Sequence, residues 1–270
     1  MNKIDFAIVI SATRCNPNGD PVNNNIPRHD YDGYGEISDV CIKRKIRDRL
    51  MESGEEILIV NNSKNTDGIY STKDRIKSAH ELNGEKDPSE FIRKACDKWI
   101  DVRSFGQVFG FKDLTGASSL NVRGPVSIWT ARSLEPVDII PVNITKSTNH
   151  DKNEIDKDRS TMGIKFVIDK GIYVSYGSIF PQLASLTNFT YKDAEKIKDA
   201  IIHMFDNDAS SFRPSGSMEC TLIWAEHSCQ SGVMSSAKVH RSFGIKTCED
   251  FPYFKYDISE IPGVTVNVYD

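Results

Sequence analysis

The stretch Ile4-Asp-Phe-Ala-Ile-Val-Ile-Ser11 is an apolar run rich in isoleucine and valine. Its length and composition predict a buried β-strand. The loop that follows, 13–35, is dominated by Asn, Pro, Gly and Asp, which form turns. Ser38 is then a suitable N-cap for a helix over about 39–51. The chain therefore begins with a strand, a long polar loop and a helix.

Further periodic segments predict the rest of the fold. Further helices are predicted at 72–82, at 88–100 with Asp87 as N-cap and Pro88 in the first turn, and at 191–205 with Thr190 as N-cap. Further strands are predicted at 57–60, 122–133, 221–225 and 264–268. Apolar residues also alternate on both sides of Asp169-Lys-Gly171, which predicts a hairpin over 162–178. This order, interrupted by two polar insertions, favours an α+β class with a ferredoxin-like core over a doubly wound α/β domain.

Length and charge exclude several classes of protein. We expect a single domain over 1–270, long enough to bury a core without disulfides. The chain has 34 Lys and Arg against 38 Asp and Glu, so its net charge of −4 argues against binding nucleic acid through overall charge. No apolar run reaches the ~18 residues that span a bilayer, and no signal peptide is recognisable. Six cysteines without a Cys-x-x-Cys pair predict reduced thiols and a cytoplasmic location.

The helix over 39–51 contains the sharpest local feature. At 100° per residue its isoleucines and leucine form one apolar stripe, whereas Lys43, Arg44 and Arg47 lie together on the opposite side. Arg and Lys donate charge-assisted hydrogen bonds to phosphate oxygens, and the preceding loop adds Arg14 and Arg28. The pattern fits an anion-binding face, and it also fits a solvated basic face of an amphipathic helix.

A second feature combines glycines with basic and aromatic residues in two segments, Arg103–Gly110 and Asn121–Pro125. Arg103 and Arg123 supply charge, Gly106 and Gly124 allow the backbone to approach a ligand closely, and Phe105 and Phe109 could stack on bases. The alternative is that both are core aromatic residues beside a tight turn. Neither segment has the strand–turn–helix context of a phosphate loop or a dinucleotide fingerprint, so nucleotide hydrolysis and hydride transfer have no support.

Four other interpretations start from histidines or from the basic face. His29-Asp30 occurs in metal phosphohydrolases, but no further ligands are evident around it. A zinc site has suitable residue types without standard spacing at Cys220, His227, Cys229 and His240. An endoribonuclease using a histidine such as His29 as general acid and base is a rival function on the same fold. A module whose basic face binds an acidic protein is another.

Ten segments together carry a family pattern. In order they are Asn18-Gly-Asp-Pro21, Pro27-Arg28, Asp32-Gly-Tyr-Gly35, Ser38-Asp-Val-Cys-Ile-Lys-Arg-Lys-Ile-Arg47, Asp101-Val-Arg-Ser-Phe-Gly106, Arg123-Gly-Pro-Val126, Ala131-Arg-Ser133, Thr161-Met-Gly163, Gly171-Ile-Tyr173 and Met204-Phe-Asp206 to Ser210-Ser211. This pattern resembles the backbone subunit of the CRISPR Cascade complex, the Cas-seven family of the RAMP superfamily, in its type I-C branch. The similarity runs from Asp5 to about Phe243, and no pattern is recognised after that point.

The resemblance implies a ferredoxin-like, RNA-recognition-motif-like palm with helical fingers inserted at 55–100 and a protruding thumb at 142–162. It implies a scaffold without catalytic activity, metal or cofactor. Copies of such a subunit assemble side by side along a CRISPR RNA (crRNA), beside the Cas-five, Cas-eight and small subunits. They hold the spacer for pairing with target DNA.

By position, the resemblance also implies a set of RNA-binding residues. They are Asn18, Arg28, Lys43, Arg44, Arg47, Arg103, Ser104, Phe105, Gly106, Arg123 and Met162. Met162 is the candidate for an apolar thumb residue that wedges between bases. Because a guide RNA leaves sequence reading to base pairing, we expect these contacts to be independent of RNA sequence.

Overall fold

The first strand lies in the middle of the main sheet. β1 (Ile4–Thr13) pairs along its length with β11 (Lys170–Ile179) on one edge and with β12 (Met218–His227) on the other, and both neighbours are antiparallel to it. Protein covers both faces as well, so almost every residue of β1 is buried. The prediction of a buried first strand is confirmed.

The computed structural model describes residues 1–110, 119–145 and 162–270. The helices in these ranges are α1 (Asp39–Glu52), α2 (Thr72–Ser78), α3 (Pro88–Lys98), α4 (Ile100–Phe105), α5 (Pro181–Thr187), α6 (Tyr191–Ile202) and α7 (Ser236–Ser242). The strands besides β1, β11 and β12 are β2 (Gly19–Asp20), β3 (Ile26–Pro27), β4 (Tyr34–Ile37), β5 (Gln107–Phe109), β6 (Leu120–Val122), β7 (Val126–Ile128), β8 (Ala131–Pro136), β9 (Ile139–Thr145), β10 (Met162–Ile168), β13 (Lys246–Thr247), β14 (Phe254–Lys255) and β15 (Val264–Tyr269).

The main sheet has the strand order β15-β12-β1-β11-β8-β4, and β7 pairs with the other end of β11. All of its pairings are antiparallel. Helix α1 lies between β1 and β8 in sequence, and α6 lies between β11 and β12. The fold is therefore a mixed α/β arrangement built on a large antiparallel sheet.

Helices cover the two faces of the sheet unequally. On one face Phe6 stacks on Trp224 with ring centres 5.4 Å apart, and the apolar sides of α1 and α6 pack over them through Ile46 and Ile197. On the other face the small residues of β1 pack against α7 and the C-terminal segment. The helix α1 is thus fixed by its apolar stripe, as its periodicity predicts.

A second hydrophobic core lies outside the sheet. It joins α2, α3 and α4 to the β5–β6 ladder through residues such as Leu58, Phe91, Trp99 and Phe109. Phe91 and Phe109 meet edge to face with ring centres 5.3 Å apart. This core includes Val122 and so extends beyond the 55–100 segment that the sequence predicts as fingers.

The capping residues behave as the sequence predicts. Ser38 caps α1 and Asp87 caps α3 with Pro88 in the first turn. Thr190 and Asp193 form a reciprocal capping box at the start of α6. These local signals fix where the three helices begin.

Three predictions of strands are wrong. The segment 57–60 forms no strand, and 122–133 contains the end of β6, the whole of β7 and the start of β8 instead of one continuous strand. The predicted hairpin over 162–178 does not form, because β10 pairs with β9 whereas β11 pairs with β1. Alternation of apolar residues indicates a strand but does not specify its partner.

The region after Phe243, for which the sequence suggests no role, completes the sheet. β15 pairs with the outer edge of β12 from Leu222 to His227. All six cysteines lie in the described ranges and are free thiols. Among the described helices the longest has 14 residues, and none combines the length and apolar character that a bilayer crossing requires.

A buried carboxylate ties three strands and the N-terminus together. Asp5 on β1 accepts a hydrogen bond from the hydroxyl of Ser178 on β11 and lies 3.1 Å from Lys3 Nζ. His227 Nε2 lies 2.8 Å from Asp5 Oδ2, which is also the oxygen nearest Lys3, whereas the Ser178 hydroxyl donates to Oδ1. Since Nδ1 of His227 accepts from the Val233 backbone N–H, Nε2 carries the hydrogen and donates to Asp5.

Burial by itself raises the pKa of Asp5. Hydrogen bonds from Ser178, Ser236 and His227 favour the ionised form. The charge of Lys3 acts in the same direction, so the pKa of Asp5 lies below its ordinary value. A lowered pKa means that Asp5 stabilises the fold above the pKa of its unfolded state, and that this stabilisation is lost as the pH falls through the folded pKa.

We expect Asp5→Asn to lower the free energy of unfolding by about 3 kcal/mol at pH 7, because it leaves Lys3 buried without its counter-charge. Urea denaturation followed by circular dichroism measures this change. The difference between parent and variant should shrink as the pH falls below about 4, where the unfolded carboxyl group is protonated. A difference that stays constant down to pH 2 would contradict the assignment.

Candidate nucleic-acid interface

The polar loop before α1 is fastened to the start of that helix. Asn18 Oδ1 accepts hydrogen bonds from both the backbone N–H and the hydroxyl of Ser38, each at 2.9 Å. Arg28 lies in the same loop, and its Nη2 is 3.3 Å from Asp20 Oδ1. Asn18 therefore has a positioning role, whereas Arg28 keeps a side chain that is 38% exposed.

Lys43 and Arg44 lie on the solvent side of α1, and each has a carboxylate one helical turn away. Lys43 Nζ is 2.9 Å from Asp39 Oδ2, and Arg44 Nη1 is 3.0 Å from Asp48 Oδ2. Both basic side chains remain partly exposed, at 22% and 34%. An ammonium group has three N–H donors and a guanidinium has five, so each keeps donors that a further anion could use.

Arg47 is more enclosed than its position on the helix predicts. Its Nε donates to Asp101 Oδ2 at 3.0 Å, and its guanidinium carbon lies 5.0 Å from the ring centre of Phe105. Asp101 also accepts from the backbone N–H groups of Leu58 and Ile59, at 2.9 and 3.1 Å. The side chain of Arg47 is 14% exposed and links α1 to the second core.

The basic face of α1 also carries negative charge in the described structure. Carboxylates from distant parts of the chain, Asp101 and Asp208, lie against it. Asp208 also pairs with Lys45, which the sequence did not single out and which is almost wholly buried. Burial lowers the pKa of Lys45, although the Asp208 charge opposes that shift. An anion that approached Arg47 would have to compete with Asp101, whereas Lys43 and Arg44 keep donors that their carboxylate partners leave free.

Arg103 points into the protein. Its Nε and Nη2 donate to Asp193 Oδ1 at 3.1 and 2.8 Å, and its Nη1 donates to the Cys96 carbonyl at 3.3 Å. Burial raises the pKa of Asp193, but the hydrogen bonds from Arg103 and Thr190 outweigh it and the pKa is lowered. Ser104 is fully buried. Both side chains are directed into the protein. A direct contact of either with RNA would require a change in this packing.

The two glycine-containing segments pack directly against each other. Gly106 has φ +81°, and a Cβ there would lie 2.3 Å from the Val122 carbonyl oxygen. A Cβ on Gly124 would lie 2.3 Å from the Ser104 carbonyl oxygen. Both positions therefore require glycine for the close contact between the two main-chain segments, whereas the predicted approach to a ligand stays a prediction.

An open groove of about 500 Å³ lies along this contact. Its lining residues are Phe105, Gly106, Gln107, Val108, Asn121, Val122, Arg123 and Gly124. Arg123 is exposed and has no ion-pair partner within the described ranges. The groove brings together three predicted residues, and Arg47 lies over the Phe105 ring at its margin. Gln107, Val108 and Asn121 were missed, although each is close in sequence to one of the glycines.

The β9–β10 ladder forms an arm beside the loop that contains Asn18. β10 packs against β3, and Lys165 Nζ donates to the Ser211 carbonyl at 3.0 Å. The backbone of Met162 pairs with Thr145 at the far end of the ladder. Most of the predicted thumb, 146–161, lies outside the described residues. Ile144 and Ile164 are about half exposed near that end, at 47% and 57%.

The histidines of the alternative interpretations have other partners. His29 Nδ1 is 3.1 Å from the Pro27 carbonyl oxygen, and Asp30 pairs with Arg132. His240 Nε2 donates to the Gly177 carbonyl, while His227 contacts Asp5 as described above. Within the described ranges no three His, Cys, Asp or Glu residues are placed to hold a metal ion. The proposed zinc set is not assembled.

Comparison with known proteins identifies the family. The family model described as CRISPR-associated protein Cas7 matches residues 2–261, so the chain belongs to the Cas7 family. The match extends beyond Phe243, where sequence inspection recognised nothing. A CRISPR-associated protein Cas7 from Haloferax volcanii is 29% identical over 233 residues, which cover 78% of this chain and 66% of the relative. The chain thus spans just under two thirds of that relative.

A solved structure supports the fold. One chain of a CRISPR RNA-guided surveillance complex in a pre-nicking state matches with a TM-score of 0.50 and 14% identity. The match covers 83% of this chain and 76% of that chain. At this identity the likeness concerns the mixed α/β fold with its large antiparallel sheet.

Replacing Arg103 or Arg123 by alanine should have different effects on the free energy of unfolding. We expect Arg103→Ala to lower the free energy of unfolding by about 3 kcal/mol, because it leaves the buried Asp193 carboxylate without its counter-charge. Arg123→Ala should change it by no more than about 0.5 kcal/mol, since the side chain is exposed and unpaired in the described structure. Urea denaturation of both variants distinguishes them, and equal losses would contradict these placements.

Proposed function

We propose that the protein is a crRNA-binding backbone subunit of a Cascade surveillance complex, of the type I-C branch. The observation that carries the proposal is the Cas7 family match over 2–261. In this proposal the sheet with α1 and α6 is the ferredoxin-like palm, and the strand order β12-β1-β11-β8 supports it. The second core forms the fingers, and the β9–β10 arm leads to the thumb.

The proposed RNA path follows α1 to the open groove. It starts at Arg28, passes Lys43 and Arg44, and reaches Arg123 beside Phe105. Phosphate oxygens accept from the remaining donors of the basic side chains, and the Phe105 ring offers a surface for stacking. Such contacts are independent of base identity, which suits a guide whose sequence is read by base pairing.

Assembly and chemistry complete the proposal. Copies of the chain would lie side by side on one crRNA in the cytoplasm, with the Cas-five, Cas-eight and small subunits as partners and target DNA bound through the guide duplex. The subunit would act as a scaffold, with no catalytic residue, metal or cofactor. Holding RNA requires phosphate contacts but no activated nucleophile, and the basic residues described above are sufficient for it.

Neutralising the exposed basic residues along this path tests the RNA site. We expect the triple variant Lys43→Gln, Arg44→Gln and Arg123→Gln to weaken binding of single-stranded RNA equally for different sequences. The slope of log affinity against log salt should fall by up to about 2, since up to three phosphate contacts are lost. Fluorescence anisotropy at several salt concentrations measures both quantities. These substitutions keep Arg47 and Arg103, whose charges the fold requires.

A matched control removes the same charge from the opposite face of the sheet. The control variant carries Lys238→Gln and Arg241→Gln on α7 and Lys246→Gln on β13. All three parent side chains are exposed. This variant should bind RNA as the parent does. If both triple variants lose affinity equally, or if the first loses none, the proposed path is wrong.

Absence of cleavage is a second expected outcome. Repeat-containing RNA incubated with the purified protein should remain intact, with and without magnesium, when it is examined on denaturing gels. Cleavage that disappears in His29→Ala would instead support the endoribonuclease interpretation. RNA that co-purifies with the protein should also be recoverable and of defined length.

A further inference from the structure

The loop between α6 and β12 brings a further arginine to the basic side of α1. Arg213 Nε donates to Asp208 Oδ2 at 2.7 Å, and the other oxygen of Asp208 lies 3.9 Å from Arg44 Nη2. Lys45 is almost wholly buried and also pairs with Asp208, so it holds this carboxylate in place. One fixed carboxylate therefore keeps two guanidinium groups next to each other, although they come from distant parts of the chain.

The loop that carries Arg213 is held by elements along which the proposed RNA path runs. Lys165 Nζ on the β9–β10 arm donates to the Ser211 carbonyl at 3.0 Å. Asn16 N–H in the polar loop before α1 donates to the Phe212 carbonyl at 2.8 Å. Arg213 is thus placed where α1, the polar loop and the arm meet.

Both guanidinium groups keep donors that no acceptor of the described structure uses. Nη1 and Nη2 of Arg213 have no hydrogen-bond partner within the described ranges, and neither atom is buried. The same holds for Nε and Nη2 of Arg44, whose Nη1 donates to Asp48 at 3.0 Å. Guanidinium donors suit the oxygens of phosphate groups, to which they form charge-assisted hydrogen bonds.

The charges of this cluster do not cancel. Three positive groups face two negative groups in it, and they are Arg44, Lys45 and Arg213 against Asp48 and Asp208. The neighbouring ion pairs contain equal numbers of positive and negative groups and add no net charge. They are formed by Arg49, Lys64, Glu52 and Asp206. An anion with a single negative charge would balance the excess.

The carboxylates of the cluster lie deeper than its two arginines. The side chains of Asp48 and Asp208 are 8% and 11% exposed, whereas those of Arg44 and Arg213 are 34% and 22% exposed. An anion that approaches from solvent therefore meets the guanidinium groups first. The site combines open donors, a net positive charge and a fixed geometry.

We propose that Arg44 and Arg213, held by Asp208, together bind one phosphodiester group of single-stranded RNA. The inference rests on the proposed function, since it concerns the same RNA, and it adds a residue that the sequence did not single out. A phosphodiester carries one negative charge and oxygens that accept from both guanidinium groups. Contacts of this kind fix the position of the backbone and do not depend on the base.

Single substitutions and their combination test whether the two arginines hold the same phosphate. Arg213→Gln and Arg44→Gln should each weaken binding of single-stranded RNA about tenfold at low salt, as fluorescence anisotropy measures. Because one phosphate is shared, the double variant should lose about twentyfold in affinity, whereas independent contacts would give about a hundredfold loss. The slope of log affinity against log salt should fall by about 0.7 in the double variant, the value for one phosphate on a single strand.

Arg241→Gln is the matched control. Its parent side chain is exposed on α7, on the opposite face of the sheet, and has no ion-pair partner in the described ranges. This variant should bind RNA as the parent does. Arg213→Gln should keep the circular dichroism spectrum of the parent, because Lys45 and Arg44 still face Asp208.

A measurement on the parent protein decides the matter if Arg213→Gln does not fold. An arginine-selective dicarbonyl reagent is applied with and without RNA, and modified peptides are identified by mass spectrometry. Bound RNA should protect Arg213 from modification and leave Arg241 as reactive as before. Equal modification of Arg213 with and without RNA would overturn the inference.

The outcomes separate this inference from the proposed function. If the triple variant of Lys43, Arg44 and Arg123 loses affinity while Arg213→Gln binds as the parent does, the inference is wrong and the proposed function stands. Fully additive losses from Arg44→Gln and Arg213→Gln would also overturn it, because they would mean two separate contacts. Failure of the parent to bind any RNA would overturn the proposed function itself.

Discussion

The fold depends on one constraint, the pairing of β1 along both of its edges. Since β11 and β12 occupy those edges, every other element must lie on a face of the sheet or be added beyond its neighbours. The helices α1 and α6 cover one face, and α7 with the C-terminal segment covers the other. The polar loop, the second core and the β9–β10 arm are then left outside the sheet.

The electrostatics of the candidate interface follow from the acidic composition of the chain. Carboxylates are numerous enough that the basic residues of α1 acquire intramolecular partners, and Arg47 and Arg103 become structural in this way. The residues that remain partly exposed are Lys43 and Arg44, although carboxylates lie beside both, and Arg123, which has no ion-pair partner in the described structure. The available positive charge is therefore confined to a few side chains.

Local signals in the sequence predicted much of the fold. The apolar run of β1 and the capping residues Ser38, Asp87 and Thr190 depend on neighbours within a few positions, and they are confirmed. Strand partners and the direction of Arg103 depend on residues far away in the chain. Asp193, the partner of Arg103, is 90 positions distant. No local pattern contains that information, which is why the hairpin over 162–178 was predicted wrongly and the ion pair of Arg103 was not foreseen.

The contact between Gly106 and Gly124 has a consequence for evolution of the groove beside it. Two main chains in van der Waals contact define the floor, so its shape is insensitive to the side chains that border it. The floor would then keep its shape if the bordering side chains were substituted. These bordering residues are Gln107, Val108 and Asn121. A ligand that bound in this groove would contact main-chain atoms that are already ordered. The protein would therefore lose little conformational entropy on binding.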